Sequence, residues 1–252
     1  MPLLCAKCKS ATNLKQSHAI PLSFFRKALN RDGGGQFVEI STKNQKNKTT
    51  QNSGKHVMLC NTCEAWFNKE CDQFIDRVLD NAPRLLPKKP FFLQADTNRL
   101  SKFILSVFWR ASLSGNELYQ SFSIPPKILN SIEDRLFNHP EKIMRTFSFS
   151  IHRFEANMQS LDKTWVEDFV MPTVVGKHKH NWPSAWMFAG RGFLFSAYPS
   201  KLPSKSKSLV GCYEPNKSAL RVPKQDCLDH PFVRRNWRAG LEKERRGFST
   251  VK

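Results

Sequence analysis

The chain has 252 residues, enough for one large domain or two modest ones, and 40% of them are hydrophobic, with 20 Phe available for a core. Lys and Arg number 40 against 21 Asp and Glu, a formal net charge of +19, which argues against an acidic or neutral surface and for a polyanionic partner, nucleic acid above all. No apolar run approaches the length needed to span a bilayer. The charge is uneven. Residues 1–90 carry 15 basic and 7 acidic side chains, residues 91–175 carry 9 of each, and residues 176–252 carry 16 and 5. The two ends are electropositive and the middle reads as scaffold.

In chain order, MPLLCAKCK has no apolar leader core, and the chain's seven cysteines include two tight CxxC pairs, which suit metal better than disulfides. A reducing, cytoplasmic setting is therefore expected. Residues 1–16 predict a cysteine knuckle leading into a short strand. Pro21 opens a short helix to about Asn30, with Ile20, Phe24, Phe25 and Leu29 apolar. DGGG and a polar Lys/Asn/Thr/Gln run over 31–55 predict a flexible loop with a brief strand at FVEI. HVMLC reads as a strand feeding the second knuckle. A helix starts at or just after Cys63, its apolar positions being Phe67, Cys71, Phe74, Ile75, Val78 and Leu79, and it stops before Pro83.

Pro87 to Pro90 reads as a linker. Amphipathic helices are predicted over Thr97–Leu113 and Pro125–Phe137. After Arg145 the pattern becomes alternating, and FSFSIHRFE, WVEDFVMPTVV, AWMFAG and GFLFSAY predict strands. Residues 200–224, rich in Lys, Ser and Pro, are expected to be loosely ordered, and PFVRRNWRAGLEKERRG to form a basic helix. The fold class is α+β. A zinc-binding module over 1–85 precedes a helical plus antiparallel β domain over 91–200 and a basic, partly flexible extension over 201–252.

Cys5 and Cys8 in CAKC, with Cys60 and Cys63 in CNTC, carry the strongest chemistry. Thiolates three residues apart in a tight turn can face one metal, and two such turns complete a tetrahedron around Zn2+. Four thiolates leave no open position, so this zinc is structural. His18 lies between the pairs in SHAIP. Its ordinary pKa, about 6.5, suits a general base for phosphodiester cleavage. A divalent ion, Mg2+ or Mn2+, would be needed to stabilise charge on the phosphate oxygens.

Glu64 is the leading ligand for that ion. At about 100° per residue it falls in line with Cys71, Ile75 and Val78, and an inward carboxylate needs a cation to meet it. That cation is either the divalent ion or a base such as Arg26 or Lys27, with the helix N-terminus as a further stabiliser. Asn68 lies at the edge of the same face, and His56 is a second candidate ligand.

The order CxxC, xHxIP, LCxxC opening a helix resembles the HNH endonuclease family, over roughly residues 1–80. CAKC, SHAIP and LCNTCE stand in the family's places. SHAIPLSFF, MLCNTCEAWF and SVFWRASLS further resemble a group of uncharacterised bacterial proteins, a likeness that extends to about Ser200. The HNH resemblance implies a zinc-bound treble-clef with a ββα metal core, His18 as the base that activates water, and Glu64 where the family places a metal-binding His or Asn. It also implies DNA as substrate and a role as effector against foreign DNA. Ser17 departs from the aspartate that usually precedes the base. Lys55 and His56, with Asn52 nearby, stand where an asparagine is expected.

Arg26, Lys55, Arg234 and Arg235 are candidate contacts to nucleic acid. Arg110 closes SVFWR as the partner of a buried acid, or with Trp109 lines a nucleic-acid groove. Lys177, His178, Lys179 and His180 read as an exposed turn, and Cys71, Cys212 and Cys227 carry no recognisable chemistry. The rival to an enzyme is a noncatalytic zinc module that binds nucleic acid or a regulatory protein partner.

Overall fold

Most elements lie close to where periodicity puts them. In this computed structural model residues 4–10, 13–30, 37–39, 48–83, 91–155, 163–177 and 183–236 are described. After the CAKC turn come β1 (Leu14–His18), α1 (Leu22–Asn30) and the antiparallel pair β2 (Phe37–Glu39) and β3 (Lys48–Thr50). β4 (Lys55–Cys60) runs directly into α2 (Asn61–Phe67), which continues through a π-helical turn at Asn68–Asp72 into α3 (Gln73–Asp80). β1 and β4 form a two-stranded antiparallel ribbon in which His18 faces Lys55 and Ser17 faces His56, with a bulge between Lys15 and Gln16. A ribbon running into a helix is thus the local architecture around the cysteines.

β5 (Phe91–Gln94) precedes the long helix α4 (Thr97–Leu113), followed by α5 (Pro126–Glu133) and α6 (Ile143–Thr146). Next come β6 (Ser148–Glu155), α7 (Lys163–Asp168), β7 (Met171–Gly176), β8 (Ala185–Gly190), β9 (Phe193–Tyr198), α8 (Ser204–Val210), β10 (Ala219–Val222) and β11 (Lys224–Asp226). Five of these strands make one sheet in the order β11-β6-β9-β8-β7, antiparallel except for the β11–β6 pair.

α4 holds the two ends of the molecule together. Asp96 caps it, accepting from the Asn98 and Arg99 amides at 2.9 and 3.0 Å. The sequence predicts one apolar face, but Ser101, Leu105, Ser106, Trp109 and Arg110 are buried as well. A helix buried nearly all round must be covered on opposite sides. One cover is the cysteine module, through Phe67 stacked on Trp109 at 5.4 Å between centroids. The other is the sheet, where Phe103 meets Phe188 and Phe195 at 6.0 and 5.8 Å. Phe24 of α1 reaches the same three rings.

Several expectations change. The helix after the second knuckle begins at Asn61, because Cys60 takes the extended N-cap conformation, so Cys63 lies in its first turn. Within WVEDFVMPTVV, Lys163–Asp168 is helical and the strand starts at Met171. The segment expected to be loosely ordered holds α8, closed by Gly211 at φ +67°, and β10, which pairs with β5. Leu220 and Val222 alternate inward there, and that burial supplies the order. One hydrophobic core runs from Cys5 to Val222, so packing is continuous across the boundaries expected near residues 85 and 200. Residues 231–236 are helical, while the rest of the expected basic helix, the 87–90 linker and most of the 31–47 loop lie outside the described residues.

Gly54, just before β4, has φ +79°, and a Cβ there would lie 2.5 Å from the Tyr119 hydroxyl. Tyr119 is wholly buried and cannot swing aside. Gly54→Ala is expected to cost about 2 kcal/mol or more through strain and overlap together. Thermal melting should show a fall of several degrees relative to wild type.

Candidate functional site

The CAKC turn folds on itself through Lys9 N–H to Cys5 O (2.8 Å) and Cys5 N–H to Ser10 O (3.0 Å), with Lys9 at φ +59°. Ala6 N–H donates to Met58 O at 2.9 Å, which ties the turn to β4. The Cys60 amide donates to Cys5 Sγ at 3.3 Å, so the two knuckles are linked across 55 residues of sequence. The sulfurs of Cys5, Cys8, Cys60 and Cys63 all lie within 4.8 Å of one another.

Cys8 Sγ and Cys60 Sγ are 3.8 Å apart. Zn–S bonds of about 2.3 Å at tetrahedral angles put sulfurs at about 3.8 Å, so the donor set fits zinc. Hydrogen bonds from Ser10 draw the exposed Cys8 thiol down to about 6, while burial drives Cys63 up. Sulfurs this close cannot all ionise unless a cation lies among them. Among the described residues no second group of three or more His, Cys, Asp or Glu side chains converges in this way.

His18 ends β1. Its Nε2 lies 3.1 Å from Ser53 Oγ, a hydroxyl buried to 4% exposure. The His18 carbonyl accepts from Arg110 Nη1 at 3.0 Å. Burial, reinforced by the Lys55 and Arg110 charges, pushes the imidazole down to about 4. The ring is therefore neutral at physiological pH.

The low value has a consequence for stability. Between pH 6.5 and about 4 the unfolded chain binds a proton at His18 that the folded chain refuses, so stability falls as pH drops through that window. Urea unfolding at pH 7 and pH 4.5 should show a smaller acid loss for His18→Gln than for wild type. An equal loss in both would mean that His18 is not held neutral.

Arg110 comes from α4 and is wholly buried. It forks onto Asp72, Nη1 to Oδ2 at 3.0 Å and Nη2 to Oδ1 at 2.8 Å, and its guanidinium carbon lies 5.1 Å from the Phe67 ring centre. The expected acid partner is Asp72, only partly buried at 15% side-chain exposure, which the π-helical turn presents to α4. Trp109 donates to Glu133 Oε1 at 3.1 Å and is core, not groove lining.

Glu64 occupies the first turn of α2. Burial raises its pKa, against a hydrogen bond from Ser17 and the attraction of Arg110. Its Oε2 is buried with no hydrogen-bond partner, and among the described residues Glu64 makes no ion pair with Arg26, whose side chain is exposed. Ser17 is fully buried beside it. His56 packs against Gly115, and a Cβ on that glycine would lie 2.7 Å from the imidazole Cε1. Among the described residues His56 joins no ligand cluster.

Asn52 turns to Asn116 and Glu117, its Nδ2 at 3.3 and 3.0 Å from their side-chain oxygens. Asn68 is exposed on the π-helical turn. Lys55, Arg234 and Arg235 are exposed, as is Lys177, whereas His178, Lys179 and His180 lie outside the described residues. Burial raises Cys71 and takes Cys212 to about 12 and Cys227 to about 11, in keeping with inert thiols.

Sequence reasoning missed Ser53 and Asp72. Ser53 stands in a polar stretch with no period, and nothing local distinguishes it. Asp72 directly follows Cys71 on the predicted core face, and an acid beside that face was the available signal. No helix among the described residues is long and apolar enough to cross a membrane. No family model, curated protein or solved structure matches this chain.

Proposed function

We propose that this chain is a metal-dependent endonuclease of HNH type acting on DNA, with His18 as general base. The observation that carries the reading is the Glu64 carboxylate. One of its oxygens is buried without a partner, on the residue after a zinc-ligand cysteine and beside the strand that ends in His18. A buried carboxylate oxygen left unmatched is costly unless a cation completes it. Mg2+ commonly uses one or two carboxylates plus waters and substrate phosphates, so Glu64 with the Ser17 hydroxyl beside it fits such an ion. When bound, that ion would stabilise charge on the phosphate oxygens and the leaving group.

The chain's own residues supply the rest. Ser53 holds Nε2, which leaves Nδ1 to take a proton from water. Arg110 fixes the His18 backbone. A phosphodiester near the ring favours the protonated imidazole and raises its low pKa toward the working range. The structural zinc ties the start of α2 to the ribbon, and so Glu64 to β1.

A noncatalytic zinc module that binds nucleic acid is the second reading. It is favoured by the lack, among the described residues, of a third ligand near Glu64 and by the low basicity of His18. Plasmid cleavage with Mg2+ or Mn2+ separates the two. Wild type should nick supercoiled DNA, and His18→Ala should lose at least about 100-fold while melting normally. Equal cleavage by both would remove His18 as the base. Absence of cleavage by either, with salt-sensitive binding retained, would select the second reading.

A further inference from the structure

β5 and β10 form an antiparallel pair whose alternate residues sort into two faces. Phe91, Leu93, Leu220 and Val222 are buried, whereas Phe92, Gln94 and Arg221 are exposed and Ala219 is half-buried. Phe92 is 65% exposed, the most of any large apolar side chain among the described residues. Arg221 lies directly across from it in the register, and the diagonal neighbour Ala219 carries only a methyl group. Among the described residues the Phe92 ring stacks on no other ring, and no cation covers its face.

The two strands come from stretches without acids. Residues 81–95 and 215–225 contain six Lys or Arg and no Asp or Glu. Lys224 is taken up by Glu155, but Arg221 and Lys217, both exposed, have no carboxylate partner among the described residues. Asp96, the first acid beyond β5, has a carboxylate oxygen occupied by the Asn98 and Arg99 amides. An open aromatic ring beside unneutralised cations suits an unpaired nucleic-acid strand, in which a base stacks on the ring and a flanking phosphate meets the cation. A duplex keeps its base faces stacked inside and cannot use the ring. A second copy of the chain would set Arg221 against another unneutralised surface of the same sign, which opposes self-association through this face.

We infer that the outer face of the β5–β10 pair holds single-stranded DNA, with Phe92 stacking on a base and Arg221 contacting an adjacent phosphate. The site lies outside the β1–β4 ribbon and the cysteine cluster, and it draws on the nuclease reading only for the choice of DNA over RNA. Anisotropy of a labelled oligothymidine of about 15 nucleotides, with the full chain and with Ca2+ in place of Mg2+, tests it. Phe92→Ala should weaken binding about 10-fold or more, and Phe92→Trp should keep it. Binding of a duplex of the same length should not respond to Phe92→Ala. Arg221→Gln should lower the slope of log K against log salt by about 0.7, the share of one phosphate on a single strand. Leu209→Ala, which trims a 54% exposed residue on α8, should change neither affinity nor slope.

Unchanged oligothymidine binding by Phe92→Ala would overturn the inference, as would equal weakening of single strand and duplex. Tighter binding of oligouridine than of oligothymidine would overturn the assignment to DNA. A wild-type dimer in sedimentation that Phe92→Ala dissolves, with strand binding intact, would make the face a contact between copies and overturn it too. If Phe92→Ala melts several degrees below wild type, Arg221→Gln decides, and an unaltered salt slope there sinks the proposal. His18→Ala should bind the strand like wild type. A chain that binds through Phe92 and cuts nothing would uphold this face and remove the enzyme, whereas cleavage without any response to Phe92→Ala would do the reverse.

Discussion

Cys5→Ser is expected to lose most of the stability of the whole chain, not of its first 80 residues alone. Zinc binding is folding free energy wherever the site does not exist in the unfolded chain. Loss of one thiolate from a closed four-sulfur site should cost at least about 4 kcal/mol. At roughly 2–4 °C per kcal/mol for a chain of this size, the melting temperature should fall by about 10 °C or more. Cys5 is fully buried and lies in the same continuous core as α4 and the sheet, so the damage cannot stay local. A strong chelator should reproduce the effect on wild type and add little to the variant. If Cys5→Ser melts within a degree or two of wild type, the cluster is not a metal site that supports the fold.

Arg110→Met carries the second large effect. It leaves the Asp72 carboxylate without its fork and the His18 carbonyl without its donor. Breaking a buried pair from one side costs about 3–5 kcal/mol, because the remaining charge is stranded. Arg110→Lys should rescue little, since an ammonium cannot span both Asp72 oxygens and the His18 carbonyl together. Adding Asp72→Leu to Arg110→Met removes both charges and should recover much of the loss in chemical denaturation. The unpaired His18 carbonyl would keep the double variant below wild type by about 1 kcal/mol. Additive losses in the two single variants would contradict the coupling.

The four-cysteine cluster was legible because its information is local: two residues with fixed spacing, twice, the second pair at a predicted helix start. The long helices were legible for a similar reason, since Leu100, Phe103, Ile104 and Val107 repeat at the helical period. What could not be read from pattern was how many sides of α4 are covered. Periodicity reports a face, and α4 has two, one to Phe67 and one to Phe188. The order in residues 204–226 was hidden by composition, because four-residue β10 carries only two inward side chains and gains its stability by pairing with β5.

The candidate site was legible as a list and not as a geometry. His18, Glu64 and the cysteines are named by spacing and resemblance. Ser53, which holds the His18 ring, comes from a loop 35 residues away, and Asp72 is turned to Arg110 by a π-helical turn that a constant 100° step does not describe. His56 is half-buried, with Gly115 packed against its ring, a neighbour 59 residues away that no local pattern announces.

X-ray absorption at the zinc edge on the purified full chain addresses the central claim most directly, since every other residue role here depends on the two knuckles closing on one ion. One zinc per chain with four sulfur neighbours at about 2.3 Å is the result this account expects. A metal-free protein, or a zinc shell containing nitrogen or oxygen, would contradict it.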